Sequence, residues 1–327
     1  MILIATDEAG YGPKLGPLIV AASAWEIAED DSSPAALQDA FAAIRRPARI
    51  GAQRIMVNDS KAIFKPKSVA QGTAPAYQKL EWVTLAGCRW CGLDQRPIRL
   101  AADLATDDVQ AIHETPWLVK FAAATIDTDP TQCLVDQWDV GPAKLIDLQT
   151  RVITAAEFNR ACGGGRNKSD LLSSATLGLV HQMLHRVSAG RSTSDAPTIA
   201  VYCDRHGGRR YYSSPLQAEF DSGLVQVMEE SKTHSGYHVP FGNGAFTIHF
   251  TVKGDSFAPV AFSSMVAKYL REKAMESFNQ YFTDLHCGAS ALRSTAGYPV
   301  DADRYLADIA PILKQHSIES SKLVRDR

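Results

Sequence analysis

The sequence predicts an α/β domain built on a mixed central sheet flanked by helices, and three observations predict it. A short apolar run, Ile2-Leu3-Ile4-Ala5, leads into two adjacent acids, Asp7 and Glu8, and a later run, Thr198-Ile199-Ala200-Val201-Tyr202-Cys203, ends in Asp204. Short apolar runs of this kind read as buried strands. Two longer stretches, Ser169–Val187 and Ser263–Phe282, carry apolar residues at helical spacing. Strands alternating with helices imply an α/β sheet, and ligands of such sheets gather beyond the carboxyl ends of the strands.

Taken in order, Met1–Asp7 reads as the first strand and Pro17–Ile27 as the second, a hairpin-like pair joined through a Gly-Pro turn. An acidic loop from Glu29 leads to a helix starting at Ala36, and Arg54-Ile55-Met56-Val57 precedes a loop carrying Asn58-Asp59-Ser60-Lys61. Between Phe64 and Pro130 the periodicity is lost, with short strands expected in EWVTLAG (81–87) and PIRLAADLA (97–105). Residues 65–160 are therefore expected to form an insertion or small subdomain outside a main domain made of 1–64 and 161–327. Regularity returns where Leu171, Leu172, Leu177, Val180, Met183, Leu184 and Val187 follow helical spacing behind a Ser169 cap. Thr198–Asp204, Leu224–Glu229 and the alternating Phe246–Lys253 follow as strands, and helices over Ser263–Phe282 and Asp301–Leu313 complete the pattern.

The acids carry the chemistry. Side chains alternate faces along a strand, so Asp7 and Glu8 cannot both enter one core. Asp7, Asp204 and Asp255 each lie at or just past the end of an expected strand. Together with Glu8 they would make an acidic cluster of hard oxygen ligands suited to two Mg²⁺ or Mn²⁺ ions, because like charges held close without a cation are costly. Gly10 and Gly12 let a ligand approach the backbone N–H groups after the first strand. No Ser-His or Cys-His arrangement offers a covalent nucleophile.

Composition sets the outer bounds. Across 327 residues, 45% are apolar and 21% charged, ordinary values for a soluble globular chain. A net charge of −2 excludes an overall basic coat, so any nucleic-acid surface must come from locally segregated charge. No apolar run approaches the roughly 20 residues of a membrane span, no signal peptide is recognisable, and six cysteines fit a reducing cytoplasm. Cys88-x-x-Cys91 could be half of a zinc site, but no second pair follows and His113 and Cys133 are irregularly spaced, so ordinary thiols are the simpler reading. Gly163-Gly164-Gly165-Arg166-Asn167-Lys168 lacks a P-loop ending and reads as a helix lead-in, with phosphate contact through Arg166 or Lys168 as the alternative. Arg205, His206, Arg209 and Arg210 crowd behind Asp204 as a solvated turn or a phosphate contact.

The order of these motifs resembles the type 2 ribonucleases H, the ribonuclease HII and HIII family. DEAGYGPKLGP (7–17), DSK (59–61), VYCD (201–204), KGD (253–255), SSMVAKYLRE (263–272) and GYP (297–299) stand in the family's sequence order. The resemblance implies a ribonuclease H fold and metal-dependent hydrolysis of RNA strands or ribonucleotides in RNA/DNA duplexes. Alternatives are a nuclease of the same fold acting on another structured nucleic acid, or a catalytically silent nucleic-acid-binding homologue. By the same resemblance Asp7, Glu8, Asp204 and Asp255 hold the metal, Gly10, Tyr11 and Gly12 replace a Gly-Arg-Gly loop that reads a 2′-hydroxyl, Ser60 and Lys61 hold phosphate, and Tyr298 stacks near the scissile step. Two ions about 4 Å apart would activate the attacking water and stabilise the leaving oxygen. Two departures stand out: Tyr11 replaces the family's arginine, and the stretch between Asp59 and Asp204 is long. The first leads to the expectation of weaker discrimination for a single ribonucleotide and better use of RNA tracts. Because the sequence opens on the catalytic strand, the extra N-terminal domain of the HIII branch is not expected.

Overall fold

The apolar runs pair into one sheet. In a computed structural model that describes residues 1–28, 33–59, 75–93, 97–127, 129–189, 197–288 and 290–326, the seven strands of this sheet are β1 (Ile2–Ala9), β2 (Leu18–Ile27), β3 (Ala143–Ile153), β4 (Ile199–Asp204), β5 (Gln226–Glu230), β6 (His234–Phe241) and β7 (Gly244–Thr251). Their spatial order is β3-β2-β1-β4-β7-β6-β5. β1, β2 and β3 are antiparallel neighbours, β4 lies parallel to β1 and β7 parallel to β4, and β6 and β5 extend that edge in antiparallel sense. The four long helices are α1 (Pro75–Trp90), α2 (Lys168–Ser188), α3 (Ala258–Leu285) and α4 (Pro299–Gln315).

Strand alternation divides the interior into two cores. Leu3 and Ala5 of β1 face the core containing α3, whereas Ile2 and Ile4 face the one containing α2. In the first core the Trp25 indole is met edge-on by Phe41, Trp90 and Phe262, with centroids 5.2, 5.5 and 5.3 Å away. The Ser263 hydroxyl, 2.9 Å from the Ala5 carbonyl oxygen and 2.9 Å from the Ser23 hydroxyl, ties α3 directly to β1 and β2.

Three expectations change. EWVTLAG is the middle of α1 rather than a strand, and PIRLAADLA supplies only the two-residue strand Ile98–Arg99 before the helix Leu100–Leu104. Residues Val83 to Ala86 are all buried, and a helix covered on every side loses the polar stripe that reveals its period. Gly87 allows the closeness, since a Cβ there would lie 2.4 Å from the Phe262 ring. Second, β3 falls inside the expected 65–160 insertion yet pairs with β2 along ten residue positions of the main sheet, from Leu18 against Ile153 to Ile27 against Ala143. Much of the rest of that segment, including Leu80, Leu104 and Trp138, joins the α3 core. The stretch therefore does not stand outside the sheet. Third, Asn167 rather than Ser169 caps α2, accepting from the Asp170 N–H while the Asp170 carboxylate accepts from the Asn167 N–H.

Candidate active site

Register brings distant acids together. Parallel pairing matches Ile2 with Ile199 and Thr6 with Cys203, so the next step sets Asp7 beside Asp204 at the carboxyl ends of neighbouring strands. On the other side, Asp204 pairs with Thr251 at the end of β7. The chain then turns through Lys253, whose φ of 58° is left-handed, into a single 3₁₀ turn, Gly254–Ser256. The Gly254 N–H donates to Asp204 Oδ1 at 2.7 Å, and a Cβ on Gly254 would lie 2.9 Å from the Asp204 Cα. Only glycine lets the turn come this close, and Asp255 is the next residue.

Asp7 lies on the α3 side and is 8% exposed. Its carboxyl is held well above the usual carboxylate range, first by burial and then by the charges of Glu8 and Asp204, with the Ser264 hydroxyl and the Glu8 N–H pulling the other way. That N–H donates to Asp7 Oδ1 at 2.7 Å. Glu8 is half-buried and takes the opposite face, in electrostatic reach of Tyr11. The structure thus brings Asp7, Glu8 and Asp204 into mutual influence and sets Asp255 on the turn bonded to Asp204. Among the described residues, however, no three His, Cys, Asp or Glu side chains are gathered closely enough to hold a metal ion as they stand. The donor chemistry fits a hard divalent cation, since a positive charge would reverse the two electrostatic causes that raise Asp7.

The loop after β1 is packed from below. Gly10 has φ 92°, and a Cβ there would lie 2.7 Å from both Arg271 Nε and the Pro17 carbonyl oxygen. Gly12 is open. The N–H groups of Lys14 and Leu15 donate to the Gly297 carbonyl at 2.7 and 3.1 Å, and the Arg325 N–H donates to the Lys14 carbonyl at 3.0 Å. The Arg325 guanidinium also donates to the Pro13 carbonyl oxygen. Burial, followed by the charge of Arg271, lowers the Arg325 pKa to about 9. Tyr298 stands at the N-cap position of α4 and is 52% exposed. Ser60 and Lys61 lie outside the described residues.

Tyr11 packs against the α2 core with the Lys168 ammonium 5.2 Å from its ring centroid. Its edge rests on Gly207, which has φ 59° and where a Cβ would fall 2.8 Å from the Tyr11 hydroxyl. The basic run behind Asp204 is mostly tied down: His206 is buried with its pKa lowered to about 3, chiefly by burial, and Arg209 pairs with Asp170. Cys88 is buried and its thiol is pushed up by burial, while Cys91 donates to the Cys88 carbonyl at 3.5 Å. The sequence reading assigned no role to Ser264, Arg271 or Arg325. The first two stand in the SSMVAKYLRE motif, which was the available signal, whereas nothing local marks Arg325.

No protein-family model matches the sequence, and no curated protein matches it. Solved structures do. Bst-RNase HIII in complex with Mn²⁺ is 12% identical with a TM-score of 0.44, over 99% of this chain and 66% of that one. The ribonuclease H2 from Pyrococcus horikoshii OT3 is 14% identical with a TM-score of 0.40, over 99% and 92%. The structure of the PCNA:RNase HII complex from Archaeoglobus fulgidus gives 14% and 0.41, over 100% and 95%. This chain thus spans just under two thirds of the first of these. Its own sheet, three antiparallel strands followed by two parallel ones with flanking helices, is the mixed α/β sheet expected from the sequence. Within it, the acids lie where an open α/β sheet gathers its ligands, past the carboxyl ends of β1 and β4.

Proposed function

We propose that the chain is a metal-dependent type 2 ribonuclease H that hydrolyses RNA strands or ribonucleotides in RNA/DNA duplexes. The observation that carries this reading is the meeting of Asp7 and Asp204 on adjacent parallel strands, with the Asp7 carboxyl raised first by burial and then by its acidic neighbours. Asp7, Glu8, Asp204 and Asp255 would hold Mg²⁺ or Mn²⁺. A pair of such ions bound there would supply water activation and charge stabilisation at the leaving oxygen.

The chain's own residues do the rest. Ser264 donates to Asp7 and fixes the carboxylate. The open backbone at Gly12 admits the sugar edge of a nucleotide. The exposed Tyr298 ring offers a stacking face at the rim, and Ser60 and Lys61 are proposed phosphate contacts by motif. The deciding experiment is cleavage of labelled duplexes carrying one ribonucleotide, an RNA tract or only DNA, with Mg²⁺ and with Mn²⁺. Cutting confined to the ribonucleotide-containing duplexes, and dependent on the ion, is expected. Cutting of the all-DNA duplex would favour a same-fold nuclease of other specificity. Duplex binding without cleavage, with no thermal shift on adding either ion, would establish instead the silent homologue that keeps the fold.

A further inference from the structure

Lys168 and the three arginines behind Asp204 are not equivalent. Arg209 is committed to Asp170 and donates to the Ser169 hydroxyl at 3.2 Å. Arg205 donates to the Lys232 and Ser231 carbonyls, and Arg210 to the Glu230 carbonyl, so both are fixed toward the β5–β6 edge. Lys168 differs. Its ammonium stands over the Tyr11 ring, it is half-buried, and among the described residues no carboxylate lies in ion-pair distance of it.

The ring beneath it is also held in place. Tyr11 packs on the α2 core, its hydroxyl edge occupies the space that a side chain on residue 207 would need, and burial and then Glu8 keep the phenol protonated. One residue on, Gly12 is open, with nothing within 4 Å of where a Cβ would stand. A neutral ring, a positioned ammonium and an accessible backbone therefore stand side by side at the end of β1.

We infer that Tyr11 and Lys168 form one recognition unit for the nucleotide bearing the 2′-hydroxyl, the ring packing on its sugar and the ammonium taking the adjoining phosphate. The inference rests on the proposed function and goes beyond it by assigning the phosphate charge to a residue of α2, outside the loop that contacts the sugar. Lys168 is a specificity-determining residue in this reading. It also changes the expectation drawn from Tyr11 alone: charge missing from position 11 is returned from α2, so discrimination for a single ribonucleotide is retained.

The test uses the full chain with labelled DNA duplexes of one sequence, with and without a single ribonucleotide. Binding is followed by fluorescence anisotropy with Ca²⁺ at several salt concentrations, and cleavage by kcat/KM with Mg²⁺. Lys168→Ala should weaken binding of the ribonucleotide duplex about tenfold, the loss of one charged hydrogen bond, while the all-DNA duplex changes less. The slope of log affinity against log salt should flatten by about 1. Lys168→Arg should restore most of the affinity, and Tyr11→Ala combined with Lys168→Ala should cost little more than either alone, because paired groups are not additive. Unchanged melting temperature separates these effects from misfolding. If Lys168→Ala leaves affinity and salt slope unchanged, or weakens both duplexes equally, the unit is refuted while the proposed function stands. If the wild type neither binds nor cuts either duplex, the proposed function fails, and this inference with it.

Discussion

On one face of β1, Asp7 is pressed against α3, almost wholly buried, beside Asp204 and under the Ser264 hydroxyl. One residue later Glu8 takes the other face, half-buried, near a tyrosine ring and an ammonium. A single step of strand alternation therefore separates a dry pocket of negative charge from a wetter surface carrying positive charge. The dry side suits a small hard cation, which can follow carboxylates into a buried place, and the wet side suits a polyanion too large to enter. The difference teaches how one step along a strand end can set a cation site beside a surface whose ammonium and ring suit a polyanion.

The comparison is broken most sharply by removing charge from the dry side. Asp7→Asn and Asp204→Asn should each reduce cleavage to background. Each should also raise the melting temperature measured without divalent ions by about 2–4 °C per kcal/mol of repulsion relieved. Near-normal turnover in either variant would sink the assignment. Next in size is the floor of the loop that joins the two sides. Gly10→Ala must place a methyl against Arg271 Nε and the Pro17 carbonyl in a left-handed backbone, and should cost about 1–3 kcal/mol of stability by chemical denaturation. A neutral result would mean the loop is looser than its packing implies.

A third test uses pH. Because the folded-state pKa of Asp7 is raised above its ordinary value of 3.8, its carboxyl stabilises the metal-free fold fully below that value, and the contribution is lost as pH rises through the folded pKa. Melting temperature without divalent ions should therefore fall over this window more in the wild type than in Asp7→Asn, and Mg²⁺ or Mn²⁺ should remove the difference. Identical profiles for the two proteins would contradict it. The smallest effect is expected from Ser264→Ala. Losing that donor should move the acid limb of the kcat/KM profile upward by less than about one pH unit, with little change at the plateau.

What could be read from the sequence was what kept its period. β1 and β4 announced themselves as apolar runs ending in acids, and α2 and α3 as helical spacing with a polar face. α1 did not, because its middle, Val83–Cys88, is buried without a break. β3 was hidden by charges inside the strand, whose partners lie far away: Arg151 pairs with Asp108 at 3.0 Å and Asp147 with Arg186 at 2.6 Å. β6 was missed as well. It mixes Ser235, Gly236 and Pro240 among its apolar residues, and Gly236 is where the His234 and His249 rings close over the backbone. For the candidate site, strand ends marked Asp7 and Asp204, which the fold sets side by side. Lys168 was only one of two candidates at a helix lead-in until the fold laid it over Tyr11.

The binding of Pro13 and Lys14 by Arg325 has a consequence for how the protein is made. The contact joins residues 312 positions apart, so the ribosome finishes β1 long before it adds the residue that holds the next loop down. A nascent chain can pair its strands and bring Asp7 to Asp204 while this loop is still unbraced on that side. On the proposed reading, the loop that would present a strand to the acids therefore stays unbraced on this side until Arg325 has been added.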